Sequence, residues 1–336
     1  MIITRTPMRI PIGGGGTDLP SYYSLFEGEW TSAAINKYVY IILNKRFEHT
    51  LRISYSKTEE VEKVNDIQHP IVREALKLLN IDGGLEIVSI ADIPSQTGLG
   101  TSASFTVGLL TTLHAYLRNV YKKDIPSRKE IAEEACHVAI NLLKEYSGKQ
   151  DEYIAAYGGV ASFYADKNGN VEVEPLYPDK LSEINLRELE NNLLMFYTGI
   201  RRESREALSI QQKATQQKNK EMIENLHRVK EIGREIKQAI IQGDFKKFGE
   251  LMDIHWREKI KRKGTVNDDI IKWYQLAKEA GAIGGKLMGA GGGGFFLFYC
   301  EDQYKKQLRE AMKKAGLREE LFRFDLEGVK IIGDFS

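Results

Sequence analysis

Between a strand-like segment and a long apolar helix this chain places Pro94 to Ser104 (PSQTGLGTSAS), and that junction constrains the fold more than any other stretch. Leu85 to Ile90 reads as a strand, and Phe105 to Val120 predicts a long buried helix. A glycine-rich loop that feeds straight into a helix leaves backbone N–H groups free and adds the positive end of the helix dipole. Gly98 and Gly100 let the main chain approach a bulky anion with no Cβ in the way. Thr101, Ser102 and Ser104 add hydroxyls that can bond a phosphate or a hydrated cation. Such a junction suits the triphosphate of ATP with its magnesium. There is no Gly-Lys-Ser/Thr, so the loop is not of the Walker A kind. A tight turn without a ligand is the structural alternative.

The 336 residues are long for one core, which favours two domains. The chain opens as β: Ile2 to Thr4 and Met8 to Ile12 alternate, and Ala33 to Arg46 is β-branched and aromatic. Leu51 to Tyr55 predicts another strand and Pro70 to Leu79 a helix with proline at its first position. A helix over 128–143 and a hairpin turning at Lys167 to Asn170 complete the first half. Past residue 180 the character changes, with a short strand at Leu193 to Tyr197 and a polar helical stretch from Arg205 to Lys263. There Met222, Leu226, Val229, Ile232, Ile236 and Ile240 form one apolar stripe of the kind that packs on a core. A helix from Trp273 to Ala280 leads to a second glycine block over 281–294 and a strand at Phe295 to Tyr299. The 48 basic and 47 acidic residues leave a formal net charge of +1, without the basic excess of a dedicated nucleic-acid binder. Cys136 and Cys300 are far apart in apolar segments and read as buried free thiols. With no signal-like start and no membrane-length apolar run, the expectation is a cytoplasmic protein without a membrane partner.

Three blocks in order carry a resemblance that spans essentially the whole chain. Pro94 to Ser104 resembles the phosphate loop of the GHMP kinases, the superfamily of galactokinase, homoserine kinase and mevalonate kinase. Arg9 to Asp18 (RIPIGGGGTD) resembles their N-terminal sugar-binding motif, and Lys286 to Phe296 (KLMGAGGGGFF) their C-terminal glycine motif. The resemblance implies an α+β, two-domain GHMP kinase fold: an N-terminal domain, 1–180, with a ribosomal S5-like mixed sheet and helices, and a C-terminal ferredoxin-like α/β domain, 181–336. Within the superfamily, Gly148 to Asp151 with Tyr153, Ala156 to Gly159, Tyr197 to Gly199, His255-Trp256 with Lys259, and Gly284 to Lys286 are similar to the D-glycero-D-manno-heptose 7-phosphate kinases. Gly15 and Gly16 stand where galactokinases carry Glu-His, which leaves room for a larger or phosphorylated sugar.

The activity so implied is transfer of the ATP γ-phosphoryl group to the sugar C1 hydroxyl, giving a 1,7-bisphosphate for nucleotide-activated heptose synthesis. The alternatives are a kinase of an unphosphorylated sugar of the fucose or galactose type, or a non-catalytic sugar- or nucleotide-binding regulator. By motif position Asp151 is the expected catalytic carboxylate, with Lys149 and Arg9 stabilising charge on the transferring group. Pro94, Gly98, Leu99, Gly100, Thr101, Ser102, Ala103 and Ser104 are the expected ATP-binding residues. Gly14, Gly15, Gly16, Thr17, Asp18, Tyr197, Gly199, Gly291 and Gly292 are expected around the sugar. Arg202, His255, Lys259 and Arg262 are available for its distal phosphate. A solvated basic helix face is the alternative for Lys259 and Arg262, and a packed helix residue for His255. One departure concerns magnesium. Superfamily kinases place a Glu about a dozen residues before the catalytic Asp, and here that position is Ala139. Ser102 and, one to two turns before Ala139, Glu134 are the candidate ligands. The adenine pocket is expected near residues 55–75. A homodimer stays open.

Overall fold

The computed structural model describes residues 1–201, 205–262 and 264–335. Its large sheet grows from two long antiparallel strands, β1 (Ile2–Gly13) and β2 (Gly28–Lys45). The two expected segments at the start are thus one continuous strand. β3 (Leu51–Ser54), β4 (Thr58–Val61) and β5 (Leu85–Ala91) extend the sheet past β2, while β6 (Val160–Ala165) and β7 (Val171–Pro175) form the expected hairpin against the first part of β2. β3 and β5 run parallel, so the sheet is mixed. A second sheet is antiparallel, in the order β11-β8-β10-β9, with β8 (Leu193–Tyr197), β9 (Gly284–Leu287), β10 (Phe295–Tyr299) and β11 (Arg318–Glu319). The last strand, β12 (Lys330–Asp334), returns to pair with β1, so these residues join the first sheet although they end the chain.

The helices follow in order: α1 (Pro20–Phe26), α2 (Pro70–Leu78), α3 (Thr101–Tyr121), α4 (Arg128–Cys136), α5 (Gln150–Tyr157), α6 (Glu183–Asn192), α7 (Arg205–Gln216), α8 (Lys220–Gln242), α9 (Phe245–Ile260), α10 (Asp268–Glu279) and α11 (Asp302–Lys314). Their ends explain where sequence patterning was imprecise. α3 starts at Thr101, four residues before the apolar run, because Gly100 at φ 76° serves as its N-cap. The helix expected over 128–143 is α4, opened by a Ser127–Glu130 capping box and continued by one π-helical stretch over His137–Leu142. The polar stretch from Arg205 is three helices, separated by the caps Asn219 and Asp244. The glycine block over 281–294 conceals β9, whose glycines are needed because Phe298 and Leu297 of β10 lie against Gly285 and the α9 backbone at Gly249 and Asp253 lies against Gly284.

α3, α5 and α8 pack on β1 and β2 and form the main core. The stripe of α8 is buried from Leu226 to Ile240, with Ile232, Ile236 and Ile240 in the main core, while Met222 is half-buried and lines a cavity. β10 joins two cores by strand alternation: Phe295, Leu297 and Tyr299 face the main core, while Phe296 and Phe298 face a second one with Trp256, Tyr274 and Met312. Cys136 and Cys300 are both free and buried. Among the described residues, no helix is long and apolar enough to cross a membrane.

Candidate active site

The three glycine segments meet around one cavity of about 560 Å³. The second and third of them meet main chain to main chain. A Cβ on Gly98 would lie 2.8 Å from the Met288 carbonyl oxygen, and one on Gly289 would lie 2.8 Å from the Gly98 Cα. Both glycines have positive φ, so no other residue fits there without displacing a loop.

The chemical centre is an ion pair between β1 and α5. Arg9 is 4 % exposed. Its Nε donates to Asp151 Oδ1 at 2.7 Å and its Nη2 to Oδ2 at 2.5 Å, a bidentate clamp. Its Nη1 donates to the Gly98 carbonyl at 2.5 Å, tying the clamp to the phosphate loop. Gln150 Nε2 adds a bond to Asp151 Oδ1 at 3.2 Å. Asp151 is thereby fixed in orientation yet open to the cavity. Asp18 lines the same space and accepts from the backbone of Gly16 at 2.8 Å and of Gln150 at 3.2 Å. Burial first, and Asp151 second, push its carboxyl up against those bonds.

Next to this pair lies a group of basic side chains. His255, Lys259 and Arg262 sit at positions i, i+4 and i+7, one face at the end of α9, and Lys286 of β9 joins them. All four line the cavity, so the solvated-face alternative is excluded for Lys259 and Arg262. Arg262 is held by Asn225 Oδ1 at 2.7 Å and Gln211 Oε1 at 3.1 Å, while its buried Nη2 has no partner. Lys259 donates to the carbonyls of Leu287 at 2.5 Å and Gly289 at 2.6 Å, which braces the last glycine loop. Burial, with Arg262 and Arg9 behind it, pulls the Lys259 ammonium down to about 7. His255 is buried with neither ring nitrogen partnered. Desolvation and the charges of Lys286, Arg262 and Lys259 hold it well below its usual value, so it is a neutral imidazole. Burial, then Lys259, also holds the Lys286 ammonium well below its usual value, so one guanidinium, two lysines that an anion would recharge and an imidazole without a partner among the described residues form a receptor for an anion.

Several expected residues are placed differently. Gly98, Gly100, Thr101, Ser102 and Ala103 line the cavity beside the N-terminus of α3, a cradle suited to phosphates. Ser104 does not: its hydroxyl points into the protein and donates to the Pro7 carbonyl at 2.8 Å. The cause is helical register, since Ser102 and Ser104 lie about 200° apart on α3. Leu99 is buried, with its carbonyl accepting from Arg9 N, and Pro94 is exposed outside the cavity. Lys149 is turned away from the cavity and bonds both Glu133 oxygens, at 2.8 and 2.7 Å, and the Gly169 carbonyl at 2.6 Å. Glu134 pairs with His114 at 2.7 Å and also stays outside. Gly15, Gly16, Asp18 and Gly291 line the cavity, whereas Gly14, Gly292, Tyr197 and Gly199 do not. Thr17 is buried, its hydroxyl bonding the carbonyls of Gly14 and Glu29. Arg202 lies outside the described residues. Pro70 and Ile71, within the range expected for adenine, line the cavity.

Lys286 and Gln150, which the motifs contain without a role assigned to them, and Glu145 and Glu152 also line the cavity. A lysine inside a β-segment that is otherwise glycine and leucine, and polar residues flanking Asp151 in the first turn of α5, were the available signals. Among the described residues no three His, Cys, Asp or Glu side chains are grouped to hold a metal by themselves.

Comparison with known proteins agrees with this arrangement. Residues 69–159 match the GHMP kinases N terminal domain, and residues 236–318 match the GHMP kinases C terminal family. A D-glycero-alpha-D-manno-heptose 7-phosphate kinase of Campylobacter jejuni is 29 % identical, over 98 % of this chain and 98 % of that protein. An L-fucokinase/L-fucose-1-P guanylyltransferase of Bacteroides fragilis is 26 % identical over 89 % of this chain, which matches only 34 % of that longer protein. The crystal structure of a D-glycero-D-manno-heptose 1-phosphate kinase from Bacteroides thetaiotaomicron superposes with a TM-score of 0.79 at 22 % identity, covering all of both chains.

Proposed function

This chain belongs to the GHMP kinases, and from that premise we propose that it phosphorylates the C1 hydroxyl of D-glycero-D-manno-heptose 7-phosphate with ATP, giving the 1,7-bisphosphate in nucleotide-activated heptose synthesis. Asp151 accepts the proton of the C1 hydroxyl as its oxygen attacks the γ-phosphorus and the bond to the bridging oxygen of ADP breaks. Arg9 holds that carboxylate in one orientation and links it to the loop beneath the phosphates. Backbone N–H groups at the start of α3 and the Ser102 hydroxyl take the triphosphate. Magnesium, when bound, neutralises charge on the β- and γ-phosphoryl oxygens. Asp18 accepts from sugar hydroxyls, beside the space left by Gly15 and Gly16.

The observation that carries the choice of a phosphorylated acceptor is the cationic group with its free donors, Arg262 Nη2 and the His255 ring, in the cavity that also holds Asp151. A free sugar leaves these groups unmatched. Hydrogen bonds to charged groups contribute about 1.5–3 kcal/mol each, so two of them favour the phosphate by at least about a hundredfold in kcat/KM. Steady-state kinetics with heptose 7-phosphate and with free heptose test this. Equal kcat/KM for the two, or a preference for free fucose or galactose, refutes the acceptor assignment.

A further inference from the structure

Ala139 supplies no acid where the resemblance led one to expect it, and both glutamates one or two turns earlier are engaged elsewhere. Glu133 is bound by Lys149 and by the Tyr153 hydroxyl, and Glu134 by His114. We propose that Glu152, assisted by Glu145, supplies the protein carboxylates for the divalent cation of the bound nucleotide, reaching from α5 into the place that Ala139 leaves open. The proposal rests on ATP as phosphoryl donor and not on the identity of the acceptor.

Glu152 is 3 % exposed and lines the cavity, and its Oε2 has no hydrogen-bond partner. The charged groups that act on it most strongly are Asp151, Asp18 and Glu145, all acids. Arg9 is committed to Asp151, Lys149 to Glu133, and Lys286 to the Ile12 carbonyl at 2.8 Å, while Arg205, which also lines the cavity, acts on Glu145 and not on Glu152. A carboxyl buried among carboxylates stays neutral unless a cation joins it. Glu152 and Ala139 line the same cavity, to which Ala139 presents only a methyl group.

The π-helical stretch supplies the second acid. Its wide turn bonds Leu143 N to the Val138 carbonyl and Glu145 N to the Ala139 carbonyl, each at 2.9 Å. Glu145 is so carried back to the cavity wall beside Ala139. Such π turns recur at functional sites. Magnesium is commonly held by one or two carboxylates completed by substrate phosphates and water, which two glutamates and the Ser102 hydroxyl suit.

Calorimetric titration of a nonhydrolysable ATP analogue, with magnesium and with EDTA, reads the coupling between metal and nucleotide without any acceptor sugar. In Glu152→Gln the analogue should bind about as well in EDTA, where burial already keeps the Glu152 carboxyl neutral, and more weakly in magnesium. The coupling factor should fall by about tenfold or more. Adding Ala139→Glu to Glu152→Gln should restore it by returning the acid from the other helix. A coupling within twofold of the parent overturns the proposal, and a lost coupling that Ala139→Glu fails to restore overturns the shared position. Should Glu152→Gln not fold, Glu145→Gln is read in the same way, and an unchanged coupling there counts equally against it. Failure of the acceptor assignment leaves these values unmoved, so the two readings fall separately.

Discussion

Gly233→Ala tests whether α8 fixes the sugar-side loop by backbone contact. Gly233 lies mid-helix, where alanine alone would stabilise by about 1 kcal/mol. Here the new Cβ would stand 2.7 Å from Gly14 N and 2.9 Å from Gly14 Cα, and the facing Gly13 meets Gly233 Cα in the same way at 2.9 Å. Gly14 cannot retreat, because Glu29 O of β2 lies against its other side. Ordinary contact then requires α8 and the loop to separate by roughly 1 Å, with backbone on both sides and no flexible side chain to yield. Overpacking of this kind costs about 1–3 kcal/mol, and a backbone-to-backbone clash belongs at the upper end. Against the gain in helix propensity the net destabilisation is about 2 kcal/mol, a fall in Tm of about 3 °C in a chain of this size. The same displacement moves Gly15, Gly16 and Asp18, so KM for the acceptor should rise by an order of magnitude or more, while KM for ATP changes little. Calorimetric melting and steady-state kinetics read both effects. An unchanged or raised Tm with an unchanged acceptor KM refutes the reasoning, since it would show that the loop and helix have slack.

Asp151→Asn should lower kcat by about 10²–10⁴ and leave the affinity for an ATP analogue nearly intact, which single-turnover rates and calorimetry separate. Arg262→Ala should raise KM for the phosphorylated acceptor and leave KM for the free sugar unchanged; parallel changes in both would contradict a phosphate contact. Lys259 gives a pH dependence of defined sign. Its ammonium is held at about 7, below the ordinary lysine value, so the unfolded chain binds the extra proton between those limits and stability rises with pH across that window. Anion binding has the opposite trend, with acceptor KM rising as pH passes above about 7, and Lys259→Met should flatten both profiles. Ser104→Ala should lower stability by about 1 kcal/mol and leave KM for ATP unchanged, because its hydroxyl serves the Pro7 carbonyl and not the phosphates.

The fold was legible where local signals agreed with tertiary demands. Pro70 marked a helix start, the α8 stripe marked a buried face, and three glycine blocks marked three loops that the structure brings together. What escaped was set by contacts distant in sequence. Nothing local in Lys149 says that its ammonium is drawn to Glu133 and Gly169, on either side of the motif. Nothing in residues 330–334 says that they close the first sheet against β1. Ser104 was misread for a different reason. Counting α3 from the apolar run instead of from Gly100 left the serine in the loop, where any direction is available to a hydroxyl. Lys286 was missed because β9 is hidden among glycines, and a lysine beside glycines resembles a turn residue until its strand is seen.

The cavity holds more buried polar atoms than its own hydrogen bonds satisfy, and that imbalance bears on specificity. Arg9 and Asp151 satisfy each other, but Arg262 Nη2, both His255 nitrogens, Gln150 Oε1 and Glu152 Oε2 are buried without partners among the described residues. Each such group destabilises the protein alone and is relieved only by a ligand carrying the matching atom. A hydrophobic pocket could not distinguish a phosphorylated sugar from a free one by more than a modest factor, because added apolar contact tolerates a missing polar group. A pocket of unmatched donors and acceptors penalises every ligand that lacks one of the atoms. Discrimination by this route grows with the number of orphaned groups, and their placement divides the labour: cationic donors on α9 and β9 for an anion, carboxylates on α5 and its approach for a metal-bound nucleotide. Asp151 lines the same cavity, already paired and already oriented by Arg9, so in the proposed reaction the position of the base does not depend on which ligand arrives first.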